Sequence, residues 1–190
     1  MDDFLEYTVP ASLIALFGEQ ATQKIAAEGW ARQGRNAELK RDNFVHCWIT
    51  EEAFKQILIS LQVWFRYRGL YFGDAQGAGA DFTVRVDGHE VTIGLRSINP
   101  DSLLKYRTVA YPDDRFQEEQ DKIADFHVVC QELAGVTRFY GMIAKEELLS
   151  ELAVSRRLYS ARNQEYFRVV PLEKFQLDLL KEMLGRMEKS

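Results

Sequence analysis

At 190 residues with 46% hydrophobic and 12% aromatic content, the chain is long and apolar enough to bury a core, which excludes a disordered segment. A net charge of −5 gives no overall pull towards nucleic acid or an anionic membrane, and no apolar run reaches the ~18 residues of a membrane span. Two cysteines far apart in sequence, Cys47 and Cys130, argue against a disulfide framework or zinc knuckle and read as buried thiols; with no signal-peptide charge pattern at the start, the expectation is a soluble cytoplasmic domain.

In chain order, Pro10 opens a helix carrying Leu13, Ile14 and Phe17, with Ile25 and Trp30 extending its apolar stripe. Gly29 and Gly34 weaken that stripe, and residues 33–36 read as a turn or loop. Residues 44–49 form an aromatic-rich run read as a packed strand or loop. Its adjacent His46 and Cys47 cannot both face one ion from a strand. Thr50, Glu51 and Glu52 supply an N-cap hydroxyl and first-turn acids, so a helix is expected from Thr50 to Gly69. Phe54, Ile57, Leu58, Leu61, Trp64 and Phe65 would form its buried face. Residues 70–72 read as a short strand and 73–80 as a glycine-bearing loop. That loop is neither a phosphate loop nor a dinucleotide fingerprint, because no Gly-Lys-Ser/Thr follows and the next element is a strand.

The clearest local signal is residues 79–97, two strands joined by Asp87-Gly88, a dipeptide that accepts the positive φ angles of a primed hairpin turn. Phe82, Val84, Val86, Val91, Ile93 and Leu95 make one face apolar. Asp81, Glu90, Thr92 and Arg96 fall on the other. Then follow a break at 98–100, a short helix or turn at 101–106, and a charged helix opened by Pro112 and reaching about Ala124. Residues 126–130 read as a buried strand, 137–143 as another, 144–152 as a short helix and 155–164 as a polar loop. Residues 166–170 form a last strand, and Pro171 opens a C-terminal helix. The fold class is α/β, a mixed central sheet flanked by helices, in one domain: a helical extension over 1–49, a core over 50–172 and a terminal helix over 173–190.

A helix, a strand led by Asp81, a Gly88-turned hairpin and a second strand with alternating polar residues resemble the PD-(D/E)XK nuclease superfamily. The runs 122–130, 139–148 and 166–172 are similar to the later parts of restriction-endonuclease-like domains. The resemblance spans about Thr50 to Leu172. It implies Mg²⁺-dependent phosphodiester cleavage of nucleic acid, with an acid on each of two neighbouring strands holding the ion and a lysine two residues beyond the second acid. Asp81 takes the first place. For the second, the chain offers Glu90-Val91-Thr92 or Thr92-Ile93-Gly94, and neither is acid-x-Lys. The candidate metal ligands are therefore Asp81 and Glu90, with Arg96 as the catalytic cation from a shifted position, or Lys105 or Lys122 reaching in from later elements. Arginine is a poor stand-in where a proton must move. Pro112-Asp113 is set aside because it starts a helix.

Arg156, Arg157, Arg162 and Arg168, interleaved with Tyr159, Tyr166 and Phe167, form the candidate nucleic-acid contact. His46, His89 and His127 are dispersed and read as structural, and no Gly-x-Ser-x-Gly elbow exists. Two functions follow: a metal nuclease, or a member of the same fold whose site is lost and which serves as a protein-interaction or structural module, a homodimer included.

Overall fold

A computed structural model describes residues 4–28, 37–69, 80–98, 100–118, 120–161 and 165–190. The chain runs β1 (Leu5–Thr8), α1 (Ala11–Glu28), α2 (Ala37–Ser60), β2 (Phe65–Tyr67), β3 (Phe82–Val86), β4 (His89–Ser97), α3 (Pro100–Tyr106), β5 (Thr108–Pro112) and α4 (Asp113–Glu118). It continues with β6 (Phe126–Leu133), β7 (Val136–Ala144), α5 (Lys145–Val154), β8 (Leu158–Ser160), β9 (Glu165–Pro171) and α6 (Leu177–Arg186). The fold is α/β. A six-stranded mixed sheet has the order β1-β7-β6-β4-β3-β2, and a smaller sheet the order β5-β9-β8. β4 and β6 run parallel, so the chain between them must cross over, and α3, β5 and α4 make that crossover. Every other strand pairing among the described residues is antiparallel. No helix among the described residues is long and apolar enough to cross a membrane.

Two cores lie on opposite faces of the large sheet. On one, Trp48, Ile49, Ala53, Phe54 and Leu58 of α2 pack on Phe82, Val84, Ile93, Val128 and Phe139, with Leu180 and Met183 of α6. Phe54 sits between the rings of Phe82 and Phe139, at 5.2 and 5.7 Å. On the other face, Val129 and Ile143 meet Val109, Tyr111 and Val170 of the small sheet and Leu148 and Leu152 of α5. The strands β6 and β7 are thus covered on both sides, which is why residues 126–130 read as a continuous apolar run.

The hairpin forms as expected. Asp87 and Gly88 adopt φ of 49° and 84°, and Val86 faces His89 across a two-residue turn. Other expectations need correction. α2 begins at Ala37, not Thr50, so residues 44–49 are helical. Phe44 and Trp48 stack at 5.6 Å and Trp48 meets Phe17 of α1, which carries the helical period upstream. Thr50 is buried mid-helix and its hydroxyl donates to the Cys47 carbonyl at 2.8 Å, so it caps nothing. Cys130 is buried as expected, but Cys47 is exposed.

α2 also stops at Ser60, short of Gly69. Gln62 turns left-handed, and the last residues of the chain then lie between two segments of sheet: Trp64 N–H donates to Glu188, Glu188 N–H to Arg85 and Ser190 N–H to Gln62. Phe65 to Tyr67 become a strand because Tyr67 stacks on Phe82 at 4.9 Å. β1, β5 and β8 are additions to the expected elements, Pro112 closes β5 directly before the expected helix, which ends at Glu118 instead of near Ala124, and Pro171 opens a single 3-10 turn before α6. The expectations for Gly29, Trp30, 33–36 and 70–79 lie outside the described residues.

One crossing requires glycine. The segment at Phe175 and Gln176 bridges to Met142, each main chain donating to the other at 2.8 and 3.0 Å. A Cβ on Gly141 would stand 2.5 Å from the Phe175 carbonyl oxygen.

Candidate functional site

Asp81 lies one residue before the β3–β4 ladder begins at Phe82 and Ile93. Its N–H donates to Ile93 O at 3.0 Å, and its carboxylate accepts the Leu95 N–H at 2.7 Å. Leu95 is the next residue of β4 whose N–H points towards β3, so the side chain takes the place of a main-chain acceptor and extends the ladder. Arg68 adds its own N–H to Asp81 O at 3.0 Å and its guanidinium to the carboxylate at 3.0 Å. Nearby, buried Glu51 of α2 accepts the Tyr67 hydroxyl at 2.7 Å. Burial first, then the charges of Glu51 and Asp81, pushes the Tyr67 phenol far above its ordinary range. Glu52 is held by Lys55 and by Gln56 Nε2. This corner is an ion-paired joint between α2, β2 and β3.

Glu90 lies elsewhere. It faces Arg85 in the ladder, four positions from Asp81 along β3, which is about 13 Å at strand rise. Its carboxylate pairs with Arg66 at 2.7 Å and Arg85 at 3.7 Å. Two carboxylates sharing one Mg²⁺ must both come within about 2.1 Å of it; Asp81 and Glu90 share a face, but the register sets them four positions apart and each is paired with its own arginine. Thr92 is closed on Asp125: its N–H and hydroxyl donate to Oδ2 at 2.8 and 2.6 Å, and Asp125 N–H donates back to the hydroxyl at 2.9 Å. Among the described residues, no group of three His, Cys, Asp or Glu side chains can hold a metal ion.

Arg96 also has a structural role. Its Nε and Nη2 donate to the Ala110 carbonyl at 2.8 and 2.5 Å, and the guanidinium stands over Tyr111 at 5.1 Å, clamping the two sheets together. Lys105 is exposed over the Tyr106 ring. His127, beside Gly94 in the β4–β6 register, faces Tyr111 with ring centroids 5.6 Å apart. Burial first, then the charges of Arg96 and Lys145, lowers its pKa to about 4, so it is neutral at pH 7.

The arginine patch divides. Arg168 Nε donates to Asp113 Oδ1 at 2.5 Å and Nη1 to the Leu152 and Ser155 carbonyls at 3.0 and 2.9 Å, closing the end of α5. Arg157 pairs with the other oxygen of Asp113 at 2.7 Å and lies 3.8 Å over Tyr166. The Arg168 hydrogen bond, aided by both arginine charges, holds the Asp113 carboxyl below the usual carboxylate range despite its burial. Arg156 is exposed, and Arg162 lies outside the described residues. The four arginines are not one open surface, because Asp113 takes up two of them.

Sequence reading missed a further buried acid. Glu132, near the end of β6, is bonded by His46 Nδ1 of α2 and by Gly135 N–H at 2.7 Å. Burial opposes its ionisation, but the His46 and Gly135 bonds win and lower its pKa. The same bond raises that of His46. An acid inside a run that stays buried from Val128 to Glu132 was the available signal. Comparison with family models, with curated proteins and with solved structures found no match.

Proposed function

We propose that this chain is a restriction-endonuclease-like scaffold without the paired metal carboxylates, serving as a protein-interaction module and not as a nuclease. The observation that carries this reading is the use of Asp81: its carboxylate completes the main-chain ladder at Leu95 and neutralises Arg68. One step beyond Phe82 and Ile93, the residue across from Asp81 is Gly94. On this reading Gly94-Leu95-Arg96 stands in the acid-x-lysine places, with no carboxylate and with a cation tied to Ala110. The succession α2, the β2–β4 meander and the crossover to parallel β6 supports the scaffold half of the proposal.

Calorimetric titration of Mn²⁺ into the protein, beside Asp81→Ala, tests it. The expected result is no saturable heat up to about millimolar metal, the weak end of protein sites for such cations. Saturable binding that disappears in the variant, with cleavage of a nucleic-acid substrate, overturns the reading.

A further inference from the structure

Between α1 and α2 lies a cleft of about 350 Å³, lined by Ile14, Gly18, Glu19, Arg41, Asp42 and His46 among others. That is near the lower end of small-molecule sites, about 300 to 1,000 Å³. Two cations reach it, and each is positioned from behind. Buried Glu132 takes His46 Nδ1, which leaves Nε2 as the ring nitrogen open to a ligand and favours the charged imidazole. Arg41 Nε donates to the Thr22 hydroxyl at 3.0 Å, and that hydroxyl donates on to the Gly18 carbonyl at 2.9 Å. Arg41 Nη1 meets Asp42 at 3.3 Å. A Cβ on Gly18 would stand 3.2 Å from Arg41 Nη2, so the glycine makes room for the guanidinium between the helices.

The remaining lining has a complementary chemistry. Glu19 and Asp42 are exposed acceptors on the two helices, and Ile14 with Val45 gives an aliphatic wall. We propose that this cleft binds a small zwitterion, a short aliphatic α-amino acid, with its carboxylate on His46 and Arg41, its ammonium on Glu19 and Asp42 and its side chain on Ile14 and Val45. A dianion such as phosphate is disfavoured by the two acids, and a bare cation by the two positive groups. The site lies on the helical layer, away from the Asp81 corner, and stands or falls independently of the interaction-module reading.

The test titrates L-valine, isobutyrate and isobutylamine into the full chain, read by calorimetry and by the NMR signal of the His46 ring. The expected result is saturable binding of L-valine with a shift of that signal, and at least about tenfold weaker binding of either half-molecule. His46→Gln should lose the binding. Gly18→Ala, whose Cβ would push the Arg41 guanidinium by a few tenths of an ångström, should only weaken it while leaving thermal unfolding unimpaired, since alanine suits a helix interior better than glycine. No saturable response to L-valine at about 10 mM, far weaker than most metabolite sites, overturns the proposal. So does isobutyrate binding as well as L-valine, or His46→Gln binding as well as the parent chain.

Discussion

Asp81 and Asp113 are both buried or nearly so, both begin or precede a regular element and both meet arginine, yet they serve different ends. Asp81 joins main chain to main chain: it accepts an N–H that β3 itself cannot satisfy, and its arginine directly follows the neighbouring strand β2. Asp113 joins side chains: it divides two guanidiniums between its oxygens and ties α4 to β9 and to the end of α5. The first corner has the look of a catalytic aspartate and the second of a basic patch. In each the functional-looking group is already used by the fold. A carboxylate on a strand is evidence for chemistry only after its hydrogen bonds have been accounted for.

Substitutions can sharpen that contrast. Asp81→Ala should be the costliest, about 3 kcal/mol, because it leaves Leu95 N–H without its acceptor and Arg68 without its charge. Asp81→Asn, which keeps an acceptor, should recover part of that in a urea titration. Equal losses for the two variants would mean that the charge, and not the ladder, matters. Asp113→Ala should cost about 2 kcal/mol at neutral pH. Because its folded pKa is lowered, that stability is present above the unfolded aspartate value of about 3.9 and is lost as pH falls through the folded value. Denaturation of the parent and Asp113→Asn chains should therefore converge in acid.

His46 provides the opposite sign. Its raised pKa makes its contribution full below the unfolded value of about 6.5 and lost as pH rises through the folded one. With the ring half-exposed, His46→Gln should cost under about 1 kcal/mol at pH 6 and less at pH 9. Glu90→Gln should change stability least, by under about 0.5 kcal/mol, since its ion pairs are open to water. A loss as large as that of Asp81→Ala would erase the distinction between the two ends of the hairpin.

The parts of the fold legible in the sequence were those fixed by local rules. Asp87-Gly88 determines a turn, alternation determines which hairpin residues face α2, and the run at 126–130 reports a strand covered on both sides. α2 was misplaced at both ends for tertiary reasons. Thr50-Glu51-Glu52 has the composition of a helix start, but helix α1 supplies a surface that extends the helix backwards to Ala37. Trp64 and Phe65 continue a helical period, but the chain terminus and β3 claim their main-chain groups. The two candidate carboxylates share a face and differ in position along it. Given the two-residue turn, Asp81 must lie across from Gly94, so the separation from Glu90 was open to arithmetic. The engagement of Arg96 with Ala110 and of Arg168 with Asp113 was not, because those partners come from the small sheet and the crossover.

Gly141 bears on how kin of this chain can be recognised. Since any side chain there would strike the Phe175 carbonyl, divergence can rewrite most of the sequence around the crossing but not that position, unless the whole 175–176 segment moves away. A distant cousin sharing this arrangement should therefore keep a strand glycine about 35 residues before a segment that bridges back to the next strand residue, a fingerprint resting on volume and not on composition.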